Sequence, residues 1–485
     1  MALTRIAQPN RWSAVYSPII YRFQSSFATG YRVTSPVGPL VIASTNGFLT
    51  VTFDANHNMV AGDYAYITSD FSGIYRVISA PSATQLIFDC DDTVGQNLST
   101  AYKYAYKYTG SAKVFAKISG VYTDIGMVNT KPVDNGSTIV FTFDVAGIIQ
   151  KYITSNLPDL NSNTINDAPD AFKEYYIETS EAYIRGVGGY PEYVQSEFTP
   201  DYEDSIYTIN EKVAVNATEQ YAQQIGETYK QQYYVFNSGA DTLRFLSNQP
   251  DGVKISACRE FWFYFNNEES TAFLPVTVNI KQYQNETLLS TTTTQYTDLP
   301  VGQHFIALNS STFTLNPLAT SVCIEVEETT GQTGLPICFD VISEDCNCDN
   351  RYQLVWLNNK GGYSSEYLTG KATHGIDVDR QGQIKYNLQP SNFSPSNRQY
   401  GNVQNVARKR ITLTHESTKQ SVHEWLASEV MTSIDVLLKE TIDGVDYLIP
   451  LQIDTDTVTL YKDRDKRFVF VFDALLAYDL QIQTR

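Results

Sequence analysis

The residue types that could do chemistry in this chain are five histidines, six cysteines and 53 acidic side chains. The histidines are His57, His304, His374, His415 and His423. None forms the HExxH pair that would place two imidazoles on one helical face for zinc. His415 and His423 are eight positions apart, a turn of roughly 80° around a helix, so they share a face poorly. Each histidine therefore reads as a surface or capping residue. There is no GxSxG nucleophile elbow, no GxxxxGK[ST] phosphate loop and no dinucleotide fingerprint after a strand. Carboxylates are so common that no two can be nominated as the acid and nucleophile of a glycosidase, and they read as solvated surface.

Metal chemistry has three places to be tested. Cys323, Cys338, Cys346 and Cys348 supply four thiols, enough for a tetrahedral zinc site or for bridging. Their spacing contains no Cys-x2-Cys knuckle, and Cys323 lies in the apolar pattern "SVCIEVE", which favours free, buried thiols. Calcium could use Asp377–Gly382, which begins like an EF-hand loop but has Leu388 where the closing glutamate belongs, or the acidic run Asp454–Asp465. Neither is compelling, so no metal or cofactor is expected. One basic cluster, Arg408-Lys409-Arg410, stands out and reads as a solvated strand edge or as a patch for an acidic neighbour.

The elements that would position these groups are mostly strands. "STIVFTFDV" puts Ile139, Phe141, Phe143 and Val145 on one face, and "LPVTVNIKQY" turns Val276, Val278 and Ile280 inward with Thr277, Asn279 and Lys281 outward. "EFWFYFN" is apolar on both faces, as a central strand between two layers must be. Asn46-Gly47, Asn135-Gly136, Asp251-Gly252 and Asp443-Gly444 supply turn chemistry. "RYQLVWLNNKGGYSSEYLTGK" reads as strand, tight turn and strand, with Trp356 as its anchor and Gly361-Gly362 at the turn. Helix is predicted over 417–431, where Val422, Trp425, Leu426 and Val430 form one stripe. Ser417 or Thr418 would cap it, or Ser421 with Glu424 as a capping box. A shorter helix is predicted within Asp144–Ile153, and loops over 154–170 and 388–402.

The expected fold is all-β: tandem antiparallel β-sandwich domains with a small inserted β-barrel and a C-terminal α+β domain carrying one main helix. The segments are 1–155 with the insert at about 45–108, a connector with strands over 156–216, a sandwich over 217–345 and the C-terminal domain over 346–485. With 34 Tyr and 24 Phe against 4 Met and 4 Trp, the composition suits pleated surfaces and contact faces. A net charge of −18 argues against nucleic acid as the main partner. No secretory leader and no apolar run of membrane-spanning length are visible, so synthesis in the cytoplasm is expected.

Four stretches carry a resemblance. "NRWSAVYSPIIYRF", "FLSNQPDGVKI", "RYQLVWLNNKGGYSSEYLTGK" and "HEWLASEVMTSIDVLL" resemble, in this order, stretches of tail proteins from phages and prophages of Bacteroidetes bacteria. The resemblance implies a structural, non-enzymatic virion protein of the tail or baseplate, made in the bacterial host cytoplasm and assembled with copies of itself and neighbouring tail proteins. It supplies no active-site residues. Trp12, Pro18, Trp356, Gly361, Gly362, Trp425, Arg408, Lys409 and Arg410 become candidates for structural or interface roles. The competing expectations are a module binding host-surface glycan or receptor, with Trp12, Trp262 and Trp356 stacking on sugars, and a glycan hydrolase.

Overall fold

A computed structural model describes residues 3–25, 42–45, 48–52, 59–61, 63–68, 73–89, 100–104, 106–134, 139–160, 165–187, 190–203, 208–218, 234–236, 244–268, 276–297, 299–309, 311–328, 334–343, 352–385, 400–460 and 467–484. Its strands form several sheets, with few and short helical segments, so the all-β, multi-sandwich class is observed. The chain divides into two compact units, one of residues 1–153 with 173–215, the other of 154–172 with 216–485. These units cut the chain differently from the four segments read off the sequence: position 345/346 lies inside the second unit.

In the first unit, Leu3–Ala7, Ile20–Ser25, Ile139–Asp144 and Val133–Asp134 make a four-stranded sheet. A seven-stranded sheet runs from Val121–Thr130 through Tyr106–Ile118 and Phe172–Val187 to Lys212–Val215 and Trp12–Ala14. Alternation explains what joins them. Tyr21, Phe23, Phe141 and Phe143 from the first sheet meet Ala112, Val114, Tyr175 and Ile177 from the second in one core. Phe141, Phe143 and Val145 point inward as expected, and Asp144 is exposed. Asp144 accepts hydrogen bonds from the backbone N–H of Ile19 and Ala146, which tethers the start of the short helix Ala146–Ile149. Between Ile42 and Tyr104 the chain makes a separate six-stranded antiparallel sheet.

Among the described residues the second unit holds three sheets. Phe261–Asn267 is buried along its whole length and pairs with Gly302–Leu308 on one side and Val235–Phe236 on the other, the central place its two apolar faces require. A five-stranded sheet is built on Val276–Gln284, flanked by Thr287–Tyr296 and Ser321–Glu328. Val276, Val278 and Ile280 are buried. Asn279 keeps the opposite face expected for it, yet it is buried there by its strand neighbours. Its amide bonds Glu327 and accepts from Thr293, so the burial is satisfied. The seven-stranded sheet runs Tyr363–Tyr367, Gln353–Leu357, Val436–Ile442, Val445–Ile453, Phe468–Thr484, Tyr400–Ser417, Thr373–Lys385. Strand residues from either side of position 345, such as Phe263, Val278, Leu354, Trp356 and Phe470, belong to one continuous core.

The main helix is Gln420–Thr432, starting later than predicted. Its N-cap is Lys419 and no side chain caps it. The hydroxyl of Ser417 is used instead in the preceding turn, where it accepts from the Lys419 backbone N–H. The Ser421 and Glu424 capping box is absent, and Glu424 accepts from Gln420 one turn away. Val422, Trp425, Leu426 and Val430 are buried as the stripe demands, joined by Ala427 and Glu429. Both predicted loops give up residues to strands: Asn166–Asp167 in the first, Tyr400 onward in the second.

Candidate functional site

The hairpin at 352–370 and the helix meet around one carboxylate, Glu429. Trp356 Nε1–H donates to its Oε2 at 2.9 Å, and Asn248 Nδ2–H donates to its Oε1 at 3.1 Å. The rings of Trp356 and Trp425 lie 5.2 Å apart. Burial drives the Glu429 carboxyl up to about 7, against a pull downward from Trp356, Asn248, the Trp425 indole and the Lys360 ammonium. Lys360 is buried as well, its Nζ 4.5 Å from the centre of the Tyr234 ring.

Asn358 holds the turn of this hairpin together. Its Oδ1 accepts from the backbone N–H of Lys360 at 2.9 Å and of Gly362 at 3.3 Å, and its Nδ2 donates to Leu246 O and Ser364 Oγ. Gly361 has φ +94°, and a Cβ there would lie 2.4 Å from the Asn216 carbonyl oxygen. Gly362 likewise packs against Tyr264 and Leu246 O. The two glycines thus serve a close backbone approach as well as the turn.

Glu429 also lines a half-open cavity of about 460 Å³. Arg244, Ser247, Asn248 and Gln249 line it, while Trp425, Leu335 and Ile337 are part of its apolar side. The sequence pattern did not point here. Glu429 sits between predicted core positions of the helix, and its partners come from positions 73 and 181 residues away.

The other expected sites fare differently. Trp12, Trp262, Trp356 and Trp425 are all buried, so the first three offer no stacking platform for sugars. Pro18 is exposed beside the buried Ile19. Arg408, Lys409 and Arg410 do not form a strand edge: they lie on Tyr400–Ser417, which has a strand on each side. The acidic neighbour is within the chain. Arg410 bridges Asp454 at 2.8 Å and Asp473 at 3.1 Å, and Lys409 faces Glu440.

Three histidines overturn the surface reading. His304, His415 and His423 are buried because they sit on strands or helix faces turned into the core. His304 bonds Asp167 and the Pro300 carbonyl. Burial depresses the His415 imidazole to about 4. His374 is exposed and bonds the Tyr352 hydroxyl, and His57 lies outside the described residues. Asp377–Gly382 is part of the strand Thr373–Lys385, which leaves no loop to wrap a calcium ion. The run from Asp454 is described only to 460. Among the described residues no group of three His, Cys, Asp or Glu is placed to hold a metal, and no helix is long and apolar enough to cross a membrane, which leaves open crossing by strands.

The expectation of free thiols at 323 and 338 is corrected. Cys323 and Cys338 face each other across neighbouring antiparallel strands and form a disulfide. Register, which the spacing does not reveal, is what brings them together. Cys346 and Cys348 lie outside the described residues. Replacing both bridged cysteines by Ser is expected to destabilise the second unit by about 2–3 kcal/mol, the loop-closure value for a short span, measured by denaturant unfolding with and without reductant. Reductant should leave the double variant unchanged.

No protein-family model and no curated protein matches this chain.

Proposed function

We propose that this chain is a structural, non-enzymatic component of a bacteriophage tail or baseplate, working by assembly with copies of itself and adjoining tail proteins in the virion. The resemblance of its four stretches to tail proteins supports the setting. The observation that carries the assembly reading is the strand Thr373–Lys385. It ends the seven-stranded sheet, runs for 13 residues without a register shift, its backbone turning left-handed at Gly382 alone among the described glycines of the strand, and has no strand on its outer side among the described residues. Ile376 is 67% exposed and Val378 37%. Edge strands of isolated proteins are usually short, bulged or guarded, because a bare ladder recruits another strand. Two further ten-residue edges, Val121–Thr130 and Thr287–Tyr296, each carry a register irregularity that blunts them.

The same surface is thus the expected contact. Sedimentation of the isolated chain should show association that grows with concentration. The double variant Ile376→Lys/Val378→Lys should sediment as a monomer while unfolding like the unaltered chain. Unaltered protein that stays monomeric, and whose Thr373–Lys385 amides exchange at the same rate alone and in purified particles, would contradict the reading.

A further inference from the structure

We propose that the Thr373–Lys385 edge receives the same edge of a second copy of this chain, antiparallel, in the register that sets the two Gln381 residues opposite each other. Such pairing presupposes the assembly reading above, and it fixes the partner and the alignment. Outward-pointing backbone groups alternate along a strand, so two copies related by a two-fold axis can oppose only positions of the same parity. For a strand of 13 residues, the alignments that pair nine or more are those centred on Asp377, Val378, Asp379, Arg380 and Gln381.

Charge separates these alignments. Centring on Asp377 or Asp379 sets that carboxylate against its own copy. Centring on Val378 opposes Asp377 and Asp379 twice, and centring on Arg380 opposes two guanidinium groups. Like charges directly opposite destabilise a strand pair. The alignment on Gln381 alone among them escapes this, and it places Asp377 opposite Lys385 at both ends. Asp377 and Lys385 are both exposed in the single chain. Between them, Val378 falls opposite Ile384, Asp379 opposite the uncharged Gln383, and Arg380 opposite Gly382, which has no side chain to obstruct it. The ladder to Tyr400–Ser417 continues in register through Gly382, so the edge is held in place along the whole paired stretch.

The test is charge reversal in the full chain, followed by sedimentation at low salt. Asp377→Lys and Lys385→Asp should each weaken self-association at least about tenfold, because each turns two attractive pairs into repulsive ones. The double variant Asp377→Lys/Lys385→Asp should return to within about twofold of the unaltered chain, and the two single variants mixed should associate with each other. Asp377 also neighbours Arg408 within its own sheet. The double variant keeps that internal change, so recovery reports the contact between copies. Thermal midpoints equal to that of the unaltered chain are the check on folding. Association that the single reversals leave unchanged, or that the double variant does not regain, would overturn this alignment and leave the assembly reading standing. A chain monomeric at every concentration would overturn the pairing altogether, and amide exchange in particles then judges the assembly reading by itself.

Discussion

In chains carrying Glu429→Gln, the stability of the second unit is expected to climb by about 3 kcal/mol from pH 4 to pH 6.5, whereas the unaltered chain changes little between pH 4.5 and 6.5. Two buried groups with opposite signs produce this. Glu429 is raised from 4.5 to about 7 by burial. The folded state therefore holds its proton more tightly than the unfolded state. That stabilisation is complete below pH 4.5 and is lost as pH rises through about 7. His415 is lowered from 6.5 to about 4, again by burial first. Its contribution is complete above pH 6.5 and is lost as pH falls through about 4. Each gap is worth about 3 kcal/mol, and in the shared window the two slopes oppose. His304, also lowered by burial, leans the same way as His415. Removing the carboxyl leaves the histidine slope, and His415→Gln should leave the opposite one, a decline from pH 4.5 to 7. Denaturant unfolding at a series of pH values, read by fluorescence of Trp262, Trp356 and Trp425, makes the comparison. A profile unchanged by Glu429→Gln would mean that the carboxyl is not held up by its surroundings.

Gly361→Ala is expected to cost the second unit at least about 3 kcal/mol, and Gly444→Ala about 1 kcal/mol. Both glycines have positive φ, +94° and +80°. An alanine at either position pays the left-handed penalty. Only Gly361 adds a collision, because its new methyl would lie 2.4 Å from a backbone oxygen, while nothing lies within 4 Å of the one at Gly444. Backbone cannot rotate away as a side chain can. Relief would have to break the Asn358 bonds that close the turn. Equal losses for the two variants, by the same unfolding measurement, would show that the hairpin does not need this close approach.

Much of the fold was legible because alternation and stripe are local. Val276, Val278 and Ile280 had to face inward, the doubly apolar "EFWFYFN" had to be central, and Val422, Trp425, Leu426 and Val430 had to face the core. What stayed hidden depends on which strands become neighbours. The Cys323–Cys338 bridge follows from register. Arg410 read as part of a solvated strand edge or a patch for an acidic neighbour, and only strand pairing brings Asp454 and Asp473 beside it. Glu429 read as one more solvated carboxylate, and only the hairpin and the segment around Asn248 make it a buried hub. The early helix start failed for a local reason: Ser417 has one hydroxyl, and the turn before the helix uses it.

The central claim is that this polypeptide does its work as a fixed part of a particle. Quantitative mass spectrometry of purified phage particles tests it most directly. The account predicts this chain at a constant ratio to the major tail protein, retained through washing in high salt and across preparations. Its absence from particles, or a ratio that varies from one preparation to the next, would contradict the account.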